Sequence, residues 1–580
     1  MRQEEIKELI RKIALQNAYK YEGKAQKKPV IGRLLAEKPE LKAVMREVLP
    51  LVEEVVEEVN RLTLEEQRKA LEELELITEA PEREIEEEPA LPPLPNADKY
   101  AEVRTRFSPN PDCVLHLGSA RAIILSHEYA RMYKGKFILR FEDTDPRLKK
   151  SALQFYDYIR RDLEWLGCKP DAEYIQSDRI ELYYKYAEKL LEEENAYICT
   201  CKREVFQKKV RAGLPCPCRD LDADENLRRW RWMLDGSYGE GEAVVRVKTD
   251  MEHPNPAVRD WPALRIIDTK KHPHPRVGDK YRVWPLYNFA CGIDDHLLKI
   301  THIIRGKEHL TNQIRQTYLY RHLGWQYPEA IHYGRLKITG ASLSKSLIVK
   351  GVKEGLYKGW DDPRLATFMA LRRRGIRPEA IRELILTVGP KPVDVTLSWK
   401  NLYAINRKLI DPIANRYFFI PEPVELIVRD VEEAYTPELP LHPDFRERGF
   451  RKFQVKLEDG KVYLLVSKGD LKILKEEADV RLIGLFNIKV ESVGETIIEA
   501  SFHSEGYEEA KKGKMPLIHW LPKGTGIPCN SVMTDGSVLK GVAEDSCREL
   551  RVDDIVQFER FGFVRVDKIG EDLTVYYTHR

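Results

Sequence analysis

The chain has 580 residues, which is too long for a single hydrophobic core and predicts two to four domains. Its 96 Lys and Arg residues nearly balance 94 Asp and Glu residues, so the net charge of +2 excludes a uniformly basic nucleic-acid-binding protein. No apolar run reaches the ~18 residues of a membrane span, and residues 1–30 lack the apolar centre of a signal peptide. We therefore expect a soluble, cytoplasmic protein with no membrane partner.

The first part of the chain, residues 1–78, predicts helices. Apolar positions recur every three or four residues in EEIKELIRKIALQNA and ELKAVMREVLPLVEEVVEEVNRL. An acidic, proline-rich stretch follows and can bury little apolar surface, so it predicts an exposed linker. We place a helical N-terminal extension with its linker at residues 1–97.

From residue 101 the pattern becomes α/β. Residues 103–107 predict a strand, residues 118–133 a helix, and KFILRFED a buried strand. This order opens a nucleotide-binding parallel sheet, in which ligands lie at the carboxyl ends of the strands. Residues 151–197 are predicted to continue as helices. The prediction is a Rossmann-type nucleotide-binding domain with an insertion; its first half, the insertion and its second half are placed at residues 98–198, 199–285 and 286–395.

The last part of the chain predicts antiparallel β-structure. Segments such as FQVKLEDGKVYLLV and ETIIEASFHS alternate in period two between turn residues. This pattern is typical of a β-barrel or a pair of barrels, which we place at residues 396–580. The predicted fold class is therefore multidomain: a helical extension, an α/β Rossmann-type domain and C-terminal antiparallel β-barrels.

A candidate phosphate-binding motif lies in RFSPNPDCVLHLGSARA, residues 106–122. It places His116, Gly118 and Ser119 at the amino end of the predicted helix, where unpaired backbone N–H groups favour a phosphate. Gly118 leaves room for a nucleotide, and His116 could donate a hydrogen bond to a phosphate oxygen. Taken alone, the segment is more typical of a capped helix with a surface histidine.

A second candidate motif is the loop GASLSKS, residues 340–346, which is rich in glycine and serine and carries Lys345. Transfer chemistry at a phosphate needs a mobile positive charge on the pyrophosphate leaving group, and a lysine on a flexible loop supplies it. Taken alone, a lysine in a polar loop is ordinary.

Together the two motifs resemble those of class I aminoacyl-tRNA synthetases, and the flanking segments narrow the resemblance. RFSPNPDCVLHLGSARA, FILRFEDTDPR, WPLYNFACGIDDHL, HIIRGKEHL and LSKS are similar to the glutamyl and glutaminyl subgroup. SWKNLYAINRKLIDPIANRYF, LIHWLP and QFERFGFVRVD are similar to its archaeal and eukaryotic branch, whose anticodon domain is a pair of β-barrels. The resemblance covers roughly residues 100–580. The family usually has glycine where Cys113 stands, and bacterial members have a basic residue where Ser342 stands.

The resemblance implies the site by position. The implied glutamate pocket contains Arg106, Ser108, Glu142, Tyr287 and Arg305, with Glu142 holding the ammonium group. The implied ATP site contains His116, Gly118, Ser119, Glu308, Ser342, Leu343, Ser344, Lys345 and Ser346. Of these, His116, Gly118 and Lys345 are the implied catalytic residues. The implied reaction activates glutamate with ATP and Mg²⁺ and passes it from glutamyl-adenylate to tRNA(Glu), and a monomer is expected.

Arg305 favours glutamate over glutamine as the substrate. Glutaminyl members carry a small uncharged residue there, and a desolvated guanidinium facing glutamine would lack its counter-charge, which costs about 3–5 kcal/mol. The alternative is that Arg305 faces solvent or tRNA. A glutaminyl-tRNA synthetase, a glutamyl enzyme that also charges tRNA(Gln), a nucleotidyltransferase and a tRNA-binding scaffold stay open as alternative functions.

Four cysteines form two C-x-C pairs, Cys199 with Cys201 and Cys216 with Cys218. Four thiolates converging on Zn²⁺ at ~2.3 Å would make a structural site without an open position. Free thiols or a redox pair are the alternatives. In related enzymes a zinc-bearing subdomain in this insertion touches the acceptor end of the tRNA. The scattered Cys113, Cys168, Cys291, Cys529 and Cys547 are predicted to be small apolar fillers.

Two basic segments, residues 372–377 and 406–418, stand between the catalytic half and the predicted barrels. They could follow RNA phosphates, which give affinity without sequence information. The alternative is an ordinary solvated helix face.

Overall fold

The computed structural model describes residues 3–20, 24–38, 41, 45–63, 66–67, 70, 91–339 and 344–580. The chain divides into two compact units, Met1–Ala90 and Leu91–Arg580. Residues 71–90, and with them most of the predicted linker, lie outside the described residues. No helix in the described part of the chain is both long enough and apolar enough to cross a membrane.

The first unit contains the helices α1 (Gln3–Lys20), α2 (Lys27–Glu37) and α3 (Met45–Arg61). In α3, Val52, Val55 and Val59 recur at helical spacing and are buried in a shared apolar cluster with Ile10 and Ile13 of α1. The helices predicted for this part of the chain are confirmed where it is described.

Among its described residues, the first part of the second unit has eleven strands and eleven α-helices. The strands are β1 (Arg104–Phe107), β2 (Lys136–Phe141), β3 (Ala172–Ile175), β4 (Ala196–Cys199), β5 (Val244–Val247), β6 (Pro262–Ile266), β7 (Val283–Pro285), β8 (His302–Gly306), β9 (Glu329–Tyr333), β10 (Leu336–Ile338) and β11 (Val395–Leu397). The helices are α4 (Leu117–Met132), α5 (Leu153–Trp165), α6 (Ile180–Glu192), α7 (Arg203–Arg211), α8 (Ala223–Asp235), α9 (Tyr287–Leu297), α10 (Leu310–His322), α11 (Lys345–Lys353), α12 (Phe368–Arg373), α13 (Pro378–Val388) and α14 (Trp399–Ile410).

Parallel strands carry the α/β part. Strands β1, β2 and β3 pair in parallel in that order, and β8 pairs in parallel with β9. The two groups are joined where the N–H of Thr301 donates to the carbonyl of Arg104 at 2.9 Å. Strand β2 is buried after its first residue, as its continuous apolar run requires. The predicted parallel sheet is confirmed.

The insertion is a separate antiparallel sheet with strand order β4-β5-β6-β7. Its core contains three fully buried tryptophans, Trp230, Trp261 and Trp284. The prediction that residues 151–197 are helical throughout is wrong in detail: β3 and β4 lie within that range as well as α5 and α6. Both strands are four residues long, too short for their period to stand out from the flanking helices.

The C-terminal part contains one helix and sixteen strands. The helix is α15 (Tyr507–Lys512), and the strands are β12 (Arg416–Tyr417), β13 (Phe419–Pro421), β14 (Pro423–Arg429), β15 (Glu438–Pro440), β16 (Phe450–Lys452), β17 (Val462–Ser467), β18 (Asp479–Leu482), β19 (Asn487–Val493), β20 (Ile497–Ser504), β21 (Leu517–Ile518), β22 (Leu521–Pro522), β23 (Ile527–Val532), β24 (Val538–Ala543), β25 (Ile555–Phe558), β26 (Gly562–Lys568) and β27 (Leu573–His579).

Two seven-stranded sheets dominate this region, with orders β12-β25-β26-β27-β23-β24-β13 and β21-β18-β19-β20-β14-β17-β22. Each sheet encloses its own apolar cluster. Residues alternate between buried and partly exposed along β14 and β23, which is the period-two pattern of the sequence. The predicted fold class, an α/β region followed by β-barrels, is confirmed. The barrels are not purely antiparallel, because β14 pairs in parallel with β20 and β23 pairs in parallel with β27.

Candidate active site

The predicted amino-acid-binding residues gather at one edge of the parallel sheet. Arg106 lies near the end of β1, and Glu142 is the first residue after β2. Because β1 and β2 run parallel with Arg106 opposite Ile138, their carboxyl ends meet at the same edge. The N–H of Glu142 donates to the carbonyl of Pro109 at 2.9 Å, which holds the loop after β1 against the end of β2.

Arg106 is anchored by a buried network of charges. Its Nε and Nη2 atoms donate to the two carboxylate oxygens of Asp295 at 3.2 and 3.4 Å. Arg140, fully buried on β2, donates from Nη1 to Asp295 at 2.6 Å and from Nη2 to Glu142 at 2.9 Å. One carboxylate on α9 therefore fixes two guanidinium groups from two strands.

The charges of this network perturb one another. Burial alone would raise the pKa of Asp295, but Arg106 and Arg140 outweigh it and lower the pKa to about 2. Burial also raises the pKa of Glu142, although the charge of Arg140 opposes that rise. Asp295 is therefore ionised at neutral pH, whereas an additional cation beside Glu142 would favour its ionised form.

Arg305, on β8, is 5% exposed and is held by neutral groups only. Its Nε atom lies 3.4 Å from His332 Nε2, its Nη1 atom 3.2 Å from Gln316 Oε1, and its Nη2 atom 2.9 Å from the Tyr327 hydroxyl. Within the described part of the chain it forms no ion pair with a carboxylate. This burial contradicts the alternative that Arg305 faces solvent. Its contact with the amino acid stays a prediction.

Tyr287 and Ser108 complete the predicted pocket. Tyr287 begins α9; its hydroxyl lies 3.3 Å from His309 Nδ1, and the ring is within electrostatic range of Glu142 and Arg305. The hydroxyl oxygen of Ser108 and the amide oxygen of Asn288 are buried without a hydrogen-bond partner among the described residues. Unpartnered buried polar atoms beside a charged cluster indicate a place for a ligand.

The HLGS motif forms the amino end of α4. His116 is the N-cap, and its Nδ1 atom accepts from the N–H of Gly118 at 3.0 Å, while the N–H of Ser119 donates to the carbonyl of His116 at 2.7 Å. Burial lowers the pKa of His116, so the ring is neutral. Because Nδ1 is the acceptor, the single ring proton is on Nε2, which is left to donate to a ligand.

Lys345 is brought to the same loop. It is the first residue of α11, after Ser344, and its Nζ atom forms an ion pair with Asp112, four residues before His116. Burial lowers the pKa of Lys345 to about 8. The ion pair with Asp112 favours the protonated amine, because a neighbouring anion stabilises the charged form. A cavity of about 580 Å³ opens beside this pair.

The other predicted nucleotide-binding residues are less closely grouped. The Ser346 hydroxyl lies 3.1 Å from that of Ser344, whereas Ser342 and Leu343 lie outside the described residues. Glu308 follows Arg305 by three residues and is exposed. Its carboxylate lies over Gly306, where a Cβ atom would be only 2.4 Å from the carboxylate oxygens. Glu308 therefore lies on the Arg305 side of the site, and its nucleotide role stays a prediction.

The four clustered cysteines converge, as their spacing predicts. The Sγ atoms of Cys199 and Cys216 are 3.8 Å apart, as are those of Cys201 and Cys218, and all four lie within 4.8 Å of one another. One pair flanks the end of β4, and the other flanks Pro217 at the start of a 3₁₀ turn (Pro217–Asp220). The four thiols form a compact set of candidate metal ligands.

The structure corrects two minor predictions. Cys291 is buried, but it is not an apolar filler, because its Sγ atom accepts from Arg140 Nη2 at 3.1 Å. The basic run 372–377 is not a continuous free strip: Arg372 is exposed, but Arg373 pairs with Asp567 at 2.9 Å, and Arg374 is 2% exposed and donates to the carbonyl of Thr578. Arg373 and Arg374 tie α12 to the last strands of the chain.

Several residues of the site were not singled out from the sequence. Arg140 and Asp295 organise the charge network, Asp112 pairs with Lys345, and Gln316 and Tyr327 hold Arg305. The adjacent acids Asp294 and Asp295, in the otherwise apolar α9, were a signal of buried ion pairing that the sequence did carry.

Comparison with known proteins identifies the class. The family described as "tRNA synthetases class I (E and Q), catalytic domain" matches residues 102–412, and two families of anti-codon binding domains of the same enzymes match residues 414–505 and 517–567. The chain therefore belongs to the class I tRNA synthetases of the glutamate and glutamine group.

Relatives that align along the full chain carry a more particular name. A glutamate--tRNA ligase of Pyrococcus furiosus is 55% identical over 99% of this chain and 100% of its own, and one of Thermococcus kodakarensis is 54% identical over the whole of both. Among solved structures, a glutamate tRNA ligase of Elizabethkingia meningosepticum in complex with its amino acid aligns with a TM-score of 0.39 and 23% identity, covering 54% of this chain and 70% of that one.

Proposed function

We propose that this chain attaches glutamate to tRNA(Glu) in an ATP-dependent reaction that passes through glutamyl-adenylate. The observation that carries the choice of amino acid is Arg305, a buried guanidinium with no carboxylate partner among the described residues. A buried unpaired charge is costly, and a substrate that brings the missing anion removes that cost. Glutamate brings a side-chain carboxylate, and glutamine brings only a neutral amide.

The two ends of the pocket suit the two charges of the substrate. Glu142, whose pKa is raised by burial, gains from a cation and would receive the ammonium group. Arg106 is held rigidly by Asp295, so it can orient a carboxylate without reorganising. Ser108 and Tyr287 would supply the remaining hydrogen bonds.

The activation step uses the second group of residues. The α-carboxylate of glutamate attacks the α-phosphorus of ATP in line, the bond to the bridging oxygen breaks, and pyrophosphate leaves. His116 would donate from Nε2 to a phosphate oxygen at the amino end of α4. Lys345 would leave Asp112 and neutralise charge that develops on the pyrophosphate, and Mg²⁺ would enter as the complex with the ATP phosphates.

The transfer step needs no covalent intermediate on the protein. A hydroxyl of the terminal adenosine of the tRNA attacks the carbonyl carbon of the adenylate, AMP leaves with the bonding electron pair, and the hydroxyl proton passes to the AMP phosphate or to water. Positioning and electrostatic stabilisation would supply most of the rate enhancement. The two seven-stranded sheets would hold the anticodon, whose unstacked bases suit stacking and edge contacts.

We also propose a structural Zn²⁺ on Cys199, Cys201, Cys216 and Cys218. A tetrahedron with metal–sulfur bonds of ~2.3 Å has sulfur–sulfur edges of ~3.8 Å, which is the separation of the two measured pairs. Arg229 Nη1 lies 3.8 Å from Cys218 Sγ, where a cation would stabilise a thiolate ligand. Four protein ligands leave no open position, so the ion would stabilise the fold of the insertion.

The proposal is tested by aminoacylation assays with glutamate and glutamine on purified tRNA(Glu) and tRNA(Gln). We expect charging of tRNA(Glu) with glutamate, with a glutamine rate lower by at least a hundredfold. Comparable use of glutamine would refute the role assigned to Arg305. Glutamate transferred equally to both tRNAs would keep the amino-acid assignment and widen the RNA substrate.

A further inference from the structure

We propose that Gln316 and Tyr327 determine substrate specificity by holding Arg305 without neutralising it. The inference rests on the proposed function, since it explains how the pocket keeps a free positive charge for glutamate. Both residues act through Arg305 and are positioning residues.

The hydrogen-bond count around Arg305 leaves room for a substrate carboxylate. A guanidinium has five N–H donors, one on Nε and two on each terminal nitrogen. His332, Gln316 and Tyr327 each take one. One N–H remains on each terminal nitrogen, so Arg305 can still donate a charged hydrogen bond to a substrate carboxylate.

The partners of Arg305 also support one another. The Tyr327 hydroxyl accepts from Arg305 and donates to Gln316 Oε1 at 2.8 Å, so the amide oxygen accepts from both neighbours. Burial and the nearby charge of Arg305 lower the pKa of His332 to about 4 and lower the pKa of His309 to about 4 as well. Both histidines are therefore neutral at pH 7. Every group that fixes the guanidinium is therefore uncharged.

Stability alone would favour a different residue at position 316. Gln316 is fully buried, and its amide nitrogen has no hydrogen-bond partner in the described part of the chain. A glutamate there could accept the same two hydrogen bonds, would pair with Arg305, and would avoid burying an unsatisfied NH₂ group. The neutral amide is explained if Arg305 must stay available: an internal carboxylate would occupy the charge that the substrate has to meet.

The main test is Gln316→Glu, a nearly isosteric change, in steady-state aminoacylation with the full chain. We expect the KM for glutamate to rise on the order of a hundredfold, because the new carboxylate pairs with Arg305. We expect kcat at saturating glutamate to change by less than about threefold and the melting temperature to hold or rise. A purely packing role for Gln316 predicts the reverse: a lower melting temperature with an unchanged KM.

Tyr327→Phe tests the clamp without adding charge, and Tyr320→Phe is its matched control. Tyr320 is a buried tyrosine whose ring is 5.0 Å from that of Tyr327, but its hydroxyl donates to the carbonyl of Gly292. We expect the glutamate KM to rise about tenfold in Tyr327→Phe and to stay at the wild-type value in Tyr320→Phe. An equal rise of the glutamate KM in Tyr327→Phe and Tyr320→Phe would overturn the inference. This comparison decides the question even if Gln316→Glu does not fold.

The outcomes separate this inference from the proposed function. If the wild-type enzyme charges glutamine as readily as glutamate, the proposed function fails whatever the variants do. If the wild type charges glutamate and Gln316→Glu keeps the wild-type KM in a folded protein, only the inference fails.

Discussion

The charge network around Asp295 gives a quantitative prediction. It contains three guanidinium groups and three carboxylates, and its members are Arg106, Arg140, Arg179, Glu142, Asp294 and Asp295. Asp295→Asn removes one negative charge with almost no change in volume. Arg140 keeps Glu142 at 2.9 Å, whereas Arg106 loses the carboxylate that holds it.

The size of the effect follows from the pKa of Asp295. Lowering the pKa from 3.8 to about 2 means that the fold favours the ionised carboxylate over the neutral acid by about 2 kcal/mol more than water does. The asparagine amide is neutral like the protonated acid, but its NH₂ group also faces guanidinium donors, which adds a further cost. We therefore expect Asp295→Asn to destabilise the catalytic part of the fold by about 2–4 kcal/mol. Removing one partner of a buried ion pair typically costs about 3–5 kcal/mol.

Native-state hydrogen exchange measures this loss where it occurs, since a chain with two units does not have a single free energy of unfolding. Amides of β1 and β2 should exchange on the order of a hundredfold faster in Asp295→Asn. The control is Asp157→Asn, because Asp157 pairs with Arg160 at the surface, with side-chain exposures of 64% and 40%; it should change exchange by less than about fivefold. Equal exchange in wild type and Asp295→Asn would refute the electrostatic reasoning.

The same pKa fixes the direction of the pH dependence. A carboxylate whose folded pKa is depressed stabilises the fold above its unfolded pKa of ~3.9, and the stabilisation is lost as pH falls through the folded value. The difference between wild type and Asp295→Asn should therefore be constant at neutral pH and should shrink between about pH 4 and the folded pKa of about 2.

Three further predictions address the reaction and the metal. Arg305→Ala should abolish glutamate charging without lowering the melting temperature, because it also removes a buried unpaired charge; unchanged glutamate kinetics would contradict the pocket assignment. Asp112→Asn should move the alkaline limb of the pH–rate profile to lower pH. The pKa of Lys345 is about 8, and without the Asp112 carboxylate the protonated amine is less stable. An unchanged alkaline limb would show that it does not report the titration of Lys345. Metal analysis should find one zinc per chain in the wild type and none in Cys218→Ser, and zinc at full occupancy in the variant would disprove the four-thiolate site.

Local patterns explain why much of this protein could be predicted from sequence. The apolar spacing of α3 and the continuous apolar run of β2 report directly on which faces are buried. The metal-binding prediction also rests on a local pattern: Cys199 and Cys216 are only 17 residues apart, and the short helix α7 is the only element that the described chain forms between them before it returns to the site. His116 and Gly118 are two residues apart at one helix end, and their hydrogen bond follows from N-cap geometry.

Most features that the sequence did not reveal depend on long-range pairing. Arg140 and Asp295 are 155 residues apart, and Arg373 and Asp567 are 194 apart, so no local window contains both partners. For this reason the run at 372–377 had the pattern of a free basic strip, although Arg373 and Arg374 are bound within the fold. The partners of Arg305 were equally hidden, because glutamine and tyrosine carry no charge signal to suggest that they hold a cation.

The arginines of the site fall into two groups: Arg106 and Arg140 are paired with a carboxylate of the protein, whereas Arg305 is held by neutral groups. Arg106 and Arg140 share Asp295, so their charge is already compensated and their positions are fixed before any ligand arrives. Such groups can orient a substrate but discriminate weakly between an acid and its amide, because the ligand's charge is not needed. Arg305 has no internal anion among the described residues, so binding there depends on whether the ligand carries one. Selectivity for glutamate over glutamine should therefore concentrate at Arg305, while changes around Asp295 should lower the rate with both amino acids alike.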